Sequence, residues 1–164
     1  MRVRSWVPVV AGTGVAVGLG VYGRVHQPVD IAVDFPLKVW LASGAAALAV
    51  LQLLTALAMY GRLPRVQSSP WTAVVHRWTG RVAFLLSLPV AVHCLYVLGF
   101  RAGEPRVLAH SLFGCLFYGA FVAKMLLISS PRSRDWAIPL AGGLVFTAIT
   151  GLWLTSALWF FALS

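Results

Sequence analysis

Five long runs of apolar residues, separated by short polar segments, dominate the pattern of this chain. The uncharged stretches cover 5–23, 39–61, 82–100, 107–123 and 136–164. A helix needs about 20 apolar residues to cross a bilayer. The fourth stretch is short only because Lys124 interrupts it; apolar sequence continues to Ile128, and a lysine near a helix end can reach the interface. The pattern predicts an all-α integral membrane protein, a five-helix transmembrane bundle with spans at about 6–23, 38–60, 76–99, 106–128 and 136–160.

Composition excludes an ordinary soluble domain. Hydrophobic residues make up 60% of the 164 positions and charged residues only 10%, whereas about 25% of the residues in soluble domains are charged. No linker or low-complexity segment divides the chain, so we expect residues 1–164 to form a single transmembrane helical domain embedded in the lipid bilayer. The first stretch resembles a secretory signal, but it is long, and we expect it to remain as an uncleaved anchor.

The positions of the charges predict the orientation. Five spans place nine basic residues on the side of the N-terminus and four on the other side, and short loops rich in Lys and Arg face the cytoplasm. The N-terminus is therefore expected to be cytoplasmic and the C-terminus external. The nine are Arg2, Arg4, Arg62, Arg65, Arg77, Arg81, Lys124, Arg132 and Arg134; the four are Arg24, Lys38, Arg101 and Arg106.

The net charge of +9 also bears on partners and localisation. It comes from residues at span ends and not from a contiguous basic block, so no nucleic-acid partner is expected. Arginine outnumbers lysine eleven to two, which is typical of a GC-rich bacterial genome. We therefore expect a multi-pass protein of the bacterial plasma (cell) membrane.

Two histidines at equal depth are the main candidates for chemistry. His93 and His110 flank a short connection, each about eight residues from its centre between Arg101 and Ala102. In an antiparallel pair of helices they would lie at the same height, roughly 10 Å below the turn. A bis-histidine b-type haem (haem b) requires one imidazole on each face of the iron. The spacing therefore predicts metal ligation by His93 and His110 near the external face.

Other residues are expected to complete this haem site. Gly114, one turn from His110, would give the porphyrin room. Basic side chains on the same side could pair with the propionates; they are Arg101, Arg106, Arg24 and Lys38.

Alternatives to this pairing stay open. The two histidines could instead hydrogen-bond each other, a carbonyl group or water. Neighbouring helices pack about 8 to 10 Å apart, which is tight for a macrocycle, so the two helices must splay or His26 must supply a ligand. His76, about 25 Å from His93 along the helix, is interpreted as an interfacial hydrogen-bonding group or a proton-handling group.

The cysteines predict neither a disulfide nor a shared metal ion. Cys94 and Cys115 would be offset by about 9 Å along the helix axes, too far to join. We expect both to be buried thiols.

The segment from Trp71 to about Lys124 carries a resemblance. The motif His76-Arg77-x-x-Gly80-Arg81, followed by His93 and by His110 on the next helix, resembles the transmembrane haem domains of the ferric-reductase and b-type cytochrome superfamily. That resemblance implies haem binding and electron transfer. The whole chain is also similar to small, uncharacterised actinobacterial membrane proteins in which a His-Cys and a His-Ser pair flank a short outer turn.

Three functional hypotheses follow. The first is an electron-transfer protein with one bis-histidine haem, which passes electrons between membrane quinol and an external redox protein. The second is a cofactor-free accessory subunit whose small-residue helix faces dock against a larger membrane complex. The third and weakest hypothesis is a transporter, because many transporters contain inverted repeats and none is evident in this sequence. Whether the chain is an enzyme stays open.

Overall fold

The structure is a computed structural model that describes residues 6–26, 28–29, 34–66, 68–130 and 134–163. Within these ranges it contains helices and loops but no strand. Five helical rods are long and apolar enough to cross a membrane, which confirms the all-α, multi-span prediction. The orientation stays a prediction, and three basic residues on which it depends, Arg2, Arg4 and Arg132, lie outside the described residues. The helices are α1 Val7–Val25, α2 Phe35–Met59, α3 Pro70–His93, α4 Pro105–Ile128, α5 Ala137–Thr155 and α6 Ala157–Leu163.

Two boundaries differ from the predicted spans. Helix α3 begins at Pro70, six residues earlier than expected, because proline suits the first helical position and Thr72 accepts a hydrogen bond from the backbone N–H of Ser69. The last span bends at Ser156, which separates α5 from α6. Both differences depend on local hydrogen bonding, which hydropathy does not register.

At its C-terminal end, α3 changes from an α-helix to a wider π-helical turn, which then ends. Pro89 lies inside α3, and residues Cys94–Leu98 continue it as a π-helical turn. Gly99 ends this turn with φ of 67°. A side chain on Gly99 would also place its Cβ 2.7 Å from the carbonyl oxygen of Gly23 on α1, so both conformation and space require glycine here.

The helices form a ring in the order α1, α4, α5, α2 and α3. The π-helical turn at the end of α3 contacts α1 and closes the ring. A core of small and aromatic residues joins α2, α4 and α5; it consists of Ala45, Ala49, Phe117, Ala148 and Ile149. Helices α1 and α4 cross where two glycines meet. A Cβ on Gly119 would lie 2.5 Å from the carbonyl oxygen of Gly12, so this crossing brings the two backbones into contact.

Helices α3 and α4 are antiparallel but splayed. In the described ranges their backbones have almost no close approach, because aromatic rings fill the space between them. Phe84 stacks on Phe121 with ring centroids 4.2 Å apart, and the hydroxyl groups of Ser87 and Tyr118 lie 3.1 Å apart. In both pairs the midpoint of the two residue numbers falls between 102 and 103, close to the midpoint of 93 and 110. His93 and His110 therefore lie at nearly the same depth, as the sequence predicts.

Candidate functional site

The candidate site lies at the end of the bundle where α4 begins, called here the His110 end. His110 contacts α5, where its Nδ1 lies 3.0 Å from Oγ1 of Thr155. The Thr155 hydroxyl donates its only proton to the carbonyl oxygen of Gly151, at 2.7 Å. Its oxygen therefore accepts a hydrogen bond from the Nδ1–H group of His110. This assignment leaves Nε2 of His110 unprotonated, with a free lone pair.

A thiol, and not the second histidine, faces that lone pair. Sγ of Cys94 lies 4.0 Å from Nε2 of His110, a long contact even for the weak S–H donor. Both cysteines are free thiols, and both are half-buried where the sequence predicts buried ones. Cys115 lies on another face of α4, toward Gly20 of α1.

His93 lies one residue before Cys94 and takes no part in this contact. Its Nδ1 atom is buried and has no hydrogen-bond partner within the described residues. Such an orphaned polar atom costs stability and calls for an explanation. Lys38, half-buried at the start of α2, lies within electrostatic range of both His93 and His110.

Most of the predicted propionate partners have other contacts. Arg106 donates from Nη1 to the carbonyl oxygen of Thr155 at 2.8 Å and lies over the ring of Trp159, so it holds the end of α5. Arg101 is exposed and donates from Nε to the carbonyl oxygen of Leu98. Arg24 is exposed at the end of α1.

Gly114, predicted to give a porphyrin room, faces α5 and not the space between α3 and α4. A Cβ added there would meet only Leu152, at 3.9 Å. The glycine therefore leaves room for a methyl group, and a larger group would displace Leu152.

His26, the alternative ligand, belongs to an aromatic cluster at the same end. Its ring stacks on Tyr22 at 4.8 Å and meets Tyr96 edge-on at 5.3 Å. Its Nε2 is also buried without a hydrogen-bond partner in the part of the chain that the structure describes. His26 thus packs against the π-helical turn from the α1 side.

His76, at the opposite end of the bundle, has the same type of contact as His110. Its Nδ1 lies 2.8 Å from Oγ1 of Thr55 on α2, and that hydroxyl donates to the carbonyl oxygen of Leu51. Gln52 donates from Nε2 to the carbonyl oxygen of His76 and to Oγ1 of Thr79. His76 is therefore also protonated on Nδ1, and Lys124 lies within electrostatic range of it.

Sequence reasoning missed the two threonines, although a signal for them existed. In an antiparallel pair of helices, residues equally far from the centre of the connection lie at the same depth; this rule was applied only to α3 and α4. In the α4–α5 hairpin the same rule places Thr155 opposite His110, and in the α2–α3 hairpin it places Thr55 opposite His76. It also places Lys38 opposite His93.

A family model matches residues 5–164, nearly the whole chain. The chain belongs to DUF6529, a family of unknown function. No curated protein and no solved structure matches it. The comparisons thus place this DUF6529 chain in a family without transferring a function to it.

The His110 end of this DUF6529 chain has some of the features that a haem iron requires, but not all of them. His110 is oriented by Thr155 with Nε2 free, and metal-bound histidines generally have such a hydrogen bond on the other ring nitrogen. His93 offers a buried, unpaired nitrogen at the same depth. In the described residues no three His, Cys, Asp or Glu side chains converge on one metal position. A haem between the two histidines would also require Cys94 to turn away from His110.

Proposed function

We propose that this protein binds one b-type haem between His93 and His110 and transfers electrons in a bacterial plasma membrane. The observation that carries the proposal is that His110, which Thr155 orients, lies at nearly the same depth as a second histidine, His93. His76 has no such partner on α4. The hydrogen bond to Thr155 fixes the His110 imidazole in the tautomer whose Nε2 can ligate iron.

The shape of the bundle supports the same proposal. A macrocycle does not fit between helices that pack directly, and the backbones of α3 and α4 stand apart. The rings of Phe84 and Phe121 fill the space between these helices about 13 Å from His93 along α3, away from the His110 end. His93 is the second imidazole at this depth, and its buried Nδ1 has no partner within the described residues.

The chain's own residues bind and orient the group. When bound, a haem supplies reversible one-electron exchange, which suits transfer between membrane quinol and an external redox protein. Thr155 holds the His110 ring, and Arg106 secures the end of α5 that carries Thr155. Lys38, a positive charge near both histidines, would pair with a propionate.

Single histidine variants test the ligand pair. We expect His93→Ala and His110→Ala to lose the dithionite-reduced b-type absorption bands while the protein still inserts into the membrane. His76→Ala is the matched control: it removes an equally oriented histidine about 25 Å from His93 along the helix and should retain the bands. Bands that persist in His110→Ala but vanish in His26→Ala would show that the pairing is wrong.

Cys94→Ala tests the contact that conflicts with haem ligation, in which Cys94 and not His93 faces Nε2 of His110. The Cys94 thiol occupies the space next to Nε2 of His110, so its removal should leave haem content unchanged or raise it. A loss of haem in Cys94→Ala would instead make Cys94 part of the binding site and contradict the assignment of His93.

A second candidate function is a cofactor-free accessory subunit that docks to a larger membrane complex. It is favoured by Gly14 and Gly18, one turn apart on α1, where an added Cβ would meet nothing within 4 Å. Small residues at this spacing let a partner helix approach closely. Co-purification of a partner with the wild type, lost in Gly14→Leu, together with no haem bands, would select this function.

A further inference from the structure

A groove of about 600 Å³ opens between the second half of α1 and the first half of α4. Its walls are apolar, and its lining includes Ala16, Gly20 and Arg24 on α1, Leu112 and Cys115 on α4, and Phe100 beyond the π-helical turn. The two helices both cross the membrane, so this groove is open to lipid along its length.

The groove exists because α1 and α4 diverge from their glycine crossing. At Gly12 an added Cβ would lie 2.6 Å from the carbonyl oxygen of Gly119, so the backbones touch. At Gly20, two turns further on, the nearest atom to an added Cβ is Sγ of Cys115, at 3.6 Å. Glycine at position 20 therefore keeps this space open.

Arg24 supplies the charge at the membrane-interface end of the groove. Its exposed guanidinium makes no hydrogen bond or ion pair within the described residues. The distance along α1 from Ala16 to Arg24 is about 12 Å. The groove thus combines an apolar channel with one positive charge at the level of the lipid headgroups.

We propose that this groove is a binding site for one anionic phospholipid, with an acyl chain along Ala16 and Gly20 and the phosphate on Arg24. Charge complementarity selects this occupant, since basic residues beside transmembrane helices recognise anionic headgroups. A helix of the same length, about 10 Å in diameter, occupies about 900 Å³ and is too large. The proposal does not depend on haem binding.

Lipid titration of the purified, delipidated protein, followed by native mass spectrometry, tests the site. The probes are palmitoyl-oleoyl phosphatidylglycerol and the corresponding diacylglycerol, which has the same chains without phosphate. We expect phosphatidylglycerol to bind about tenfold more tightly, as for one hydrogen-bonded charge. Inorganic phosphate should not displace it, because the acyl chain contributes to binding.

Three variants locate the binding. Arg24→Gln should reduce the affinity for phosphatidylglycerol about tenfold, to that of diacylglycerol. Gly20→Leu fills the groove and should abolish binding of both lipids. Gly18→Leu adds the same bulk where an added Cβ meets nothing within 4 Å, so it should bind as the wild type does.

Several results would overturn the proposal. They are equal affinity for the two lipids, wild-type affinity in Arg24→Gln, or equal losses in Gly18→Leu and Gly20→Leu. Arg24 is exposed, so Arg24→Gln keeps the test decisive even if Gly20→Leu fails to insert.

Discussion

The Nδ1 atom of His110 lies 3.0 Å from the hydroxyl oxygen of Thr155, on the neighbouring helix. His76 and Thr55 repeat this arrangement at the other end of the bundle, at 2.8 Å. In both pairs the threonine hydroxyl is committed to a carbonyl group of its own helix. Each histidine is consequently held in one tautomer with Nε2 free, so orientation alone does not separate a ligand from a structural histidine.

Thr155→Val should weaken haem binding, because it removes the acceptor that orients His110. Loss of such a partner typically costs about 10 to 100-fold in metal affinity. Haem titration of the apoprotein measures the effect, and Thr155→Ser, which keeps the hydroxyl, is the matched control. Equal affinities in the valine variant and the wild type would contradict the role given to this hydrogen bond.

Thr55→Val should reduce stability without affecting haem. It leaves Nδ1 of the half-buried His76 without its partner, and loss of such a hydrogen bond costs about 1 kcal/mol. Reversible unfolding in mixed detergent micelles measures the change, and Thr147→Val, at an exposed threonine, should change stability by less than about 0.5 kcal/mol. A loss of absorption bands in Thr55→Val would show that the two ends are coupled.

Much of the fold is predictable from the sequence, because membrane spans depend mainly on hydropathy. Five spans and the depth of His93 and His110 follow from run lengths and loop positions. Which side chain faces His110 does not follow. Successive helical residues point about 100° apart, and the π-helical turn that begins at Cys94 changes this spacing locally.

The splay of α3 and α4 depends on tertiary packing. From the sequence, the splay follows only as a condition for the haem, with a ligand from His26 as the alternative. The structure achieves it through Phe84, Tyr118 and Phe121, whose positions on facing sides become evident only when α1 and α5 pack against α4. Local sequence does not encode that arrangement.

Gly119→Ala should destabilise the bundle. An added Cβ would lie 2.5 Å from the carbonyl oxygen of Gly12 and 2.8 Å from Cβ of Ala16, so α1 and α4 must separate. Overpacking of this kind costs about 1 to 3 kcal/mol. The matched control is Gly14→Ala, where nothing lies within 4 Å; unfolding of the two variants should differ clearly, and equal stabilities would contradict the crossing.

Reporter fusions test the predicted orientation. The nine-to-four distribution of basic residues places the N-terminus in the cytoplasm, so alkaline phosphatase fused after residue 164 should be active. A fusion in the loop near Arg65 should be inactive and serves as the control. The reverse pattern would overturn the orientation and move the His110 end to the cytoplasmic face.

The most direct test of the haem proposal is the reduced-minus-oxidised absorption spectrum of the purified wild-type protein, with haem quantified as the pyridine complex. The account predicts b-type bands and about one haem per chain, because one pair of equally deep histidines is available at the His110 end. The absence of haem bands after expression with added haem would contradict the account and leave the accessory-subunit function.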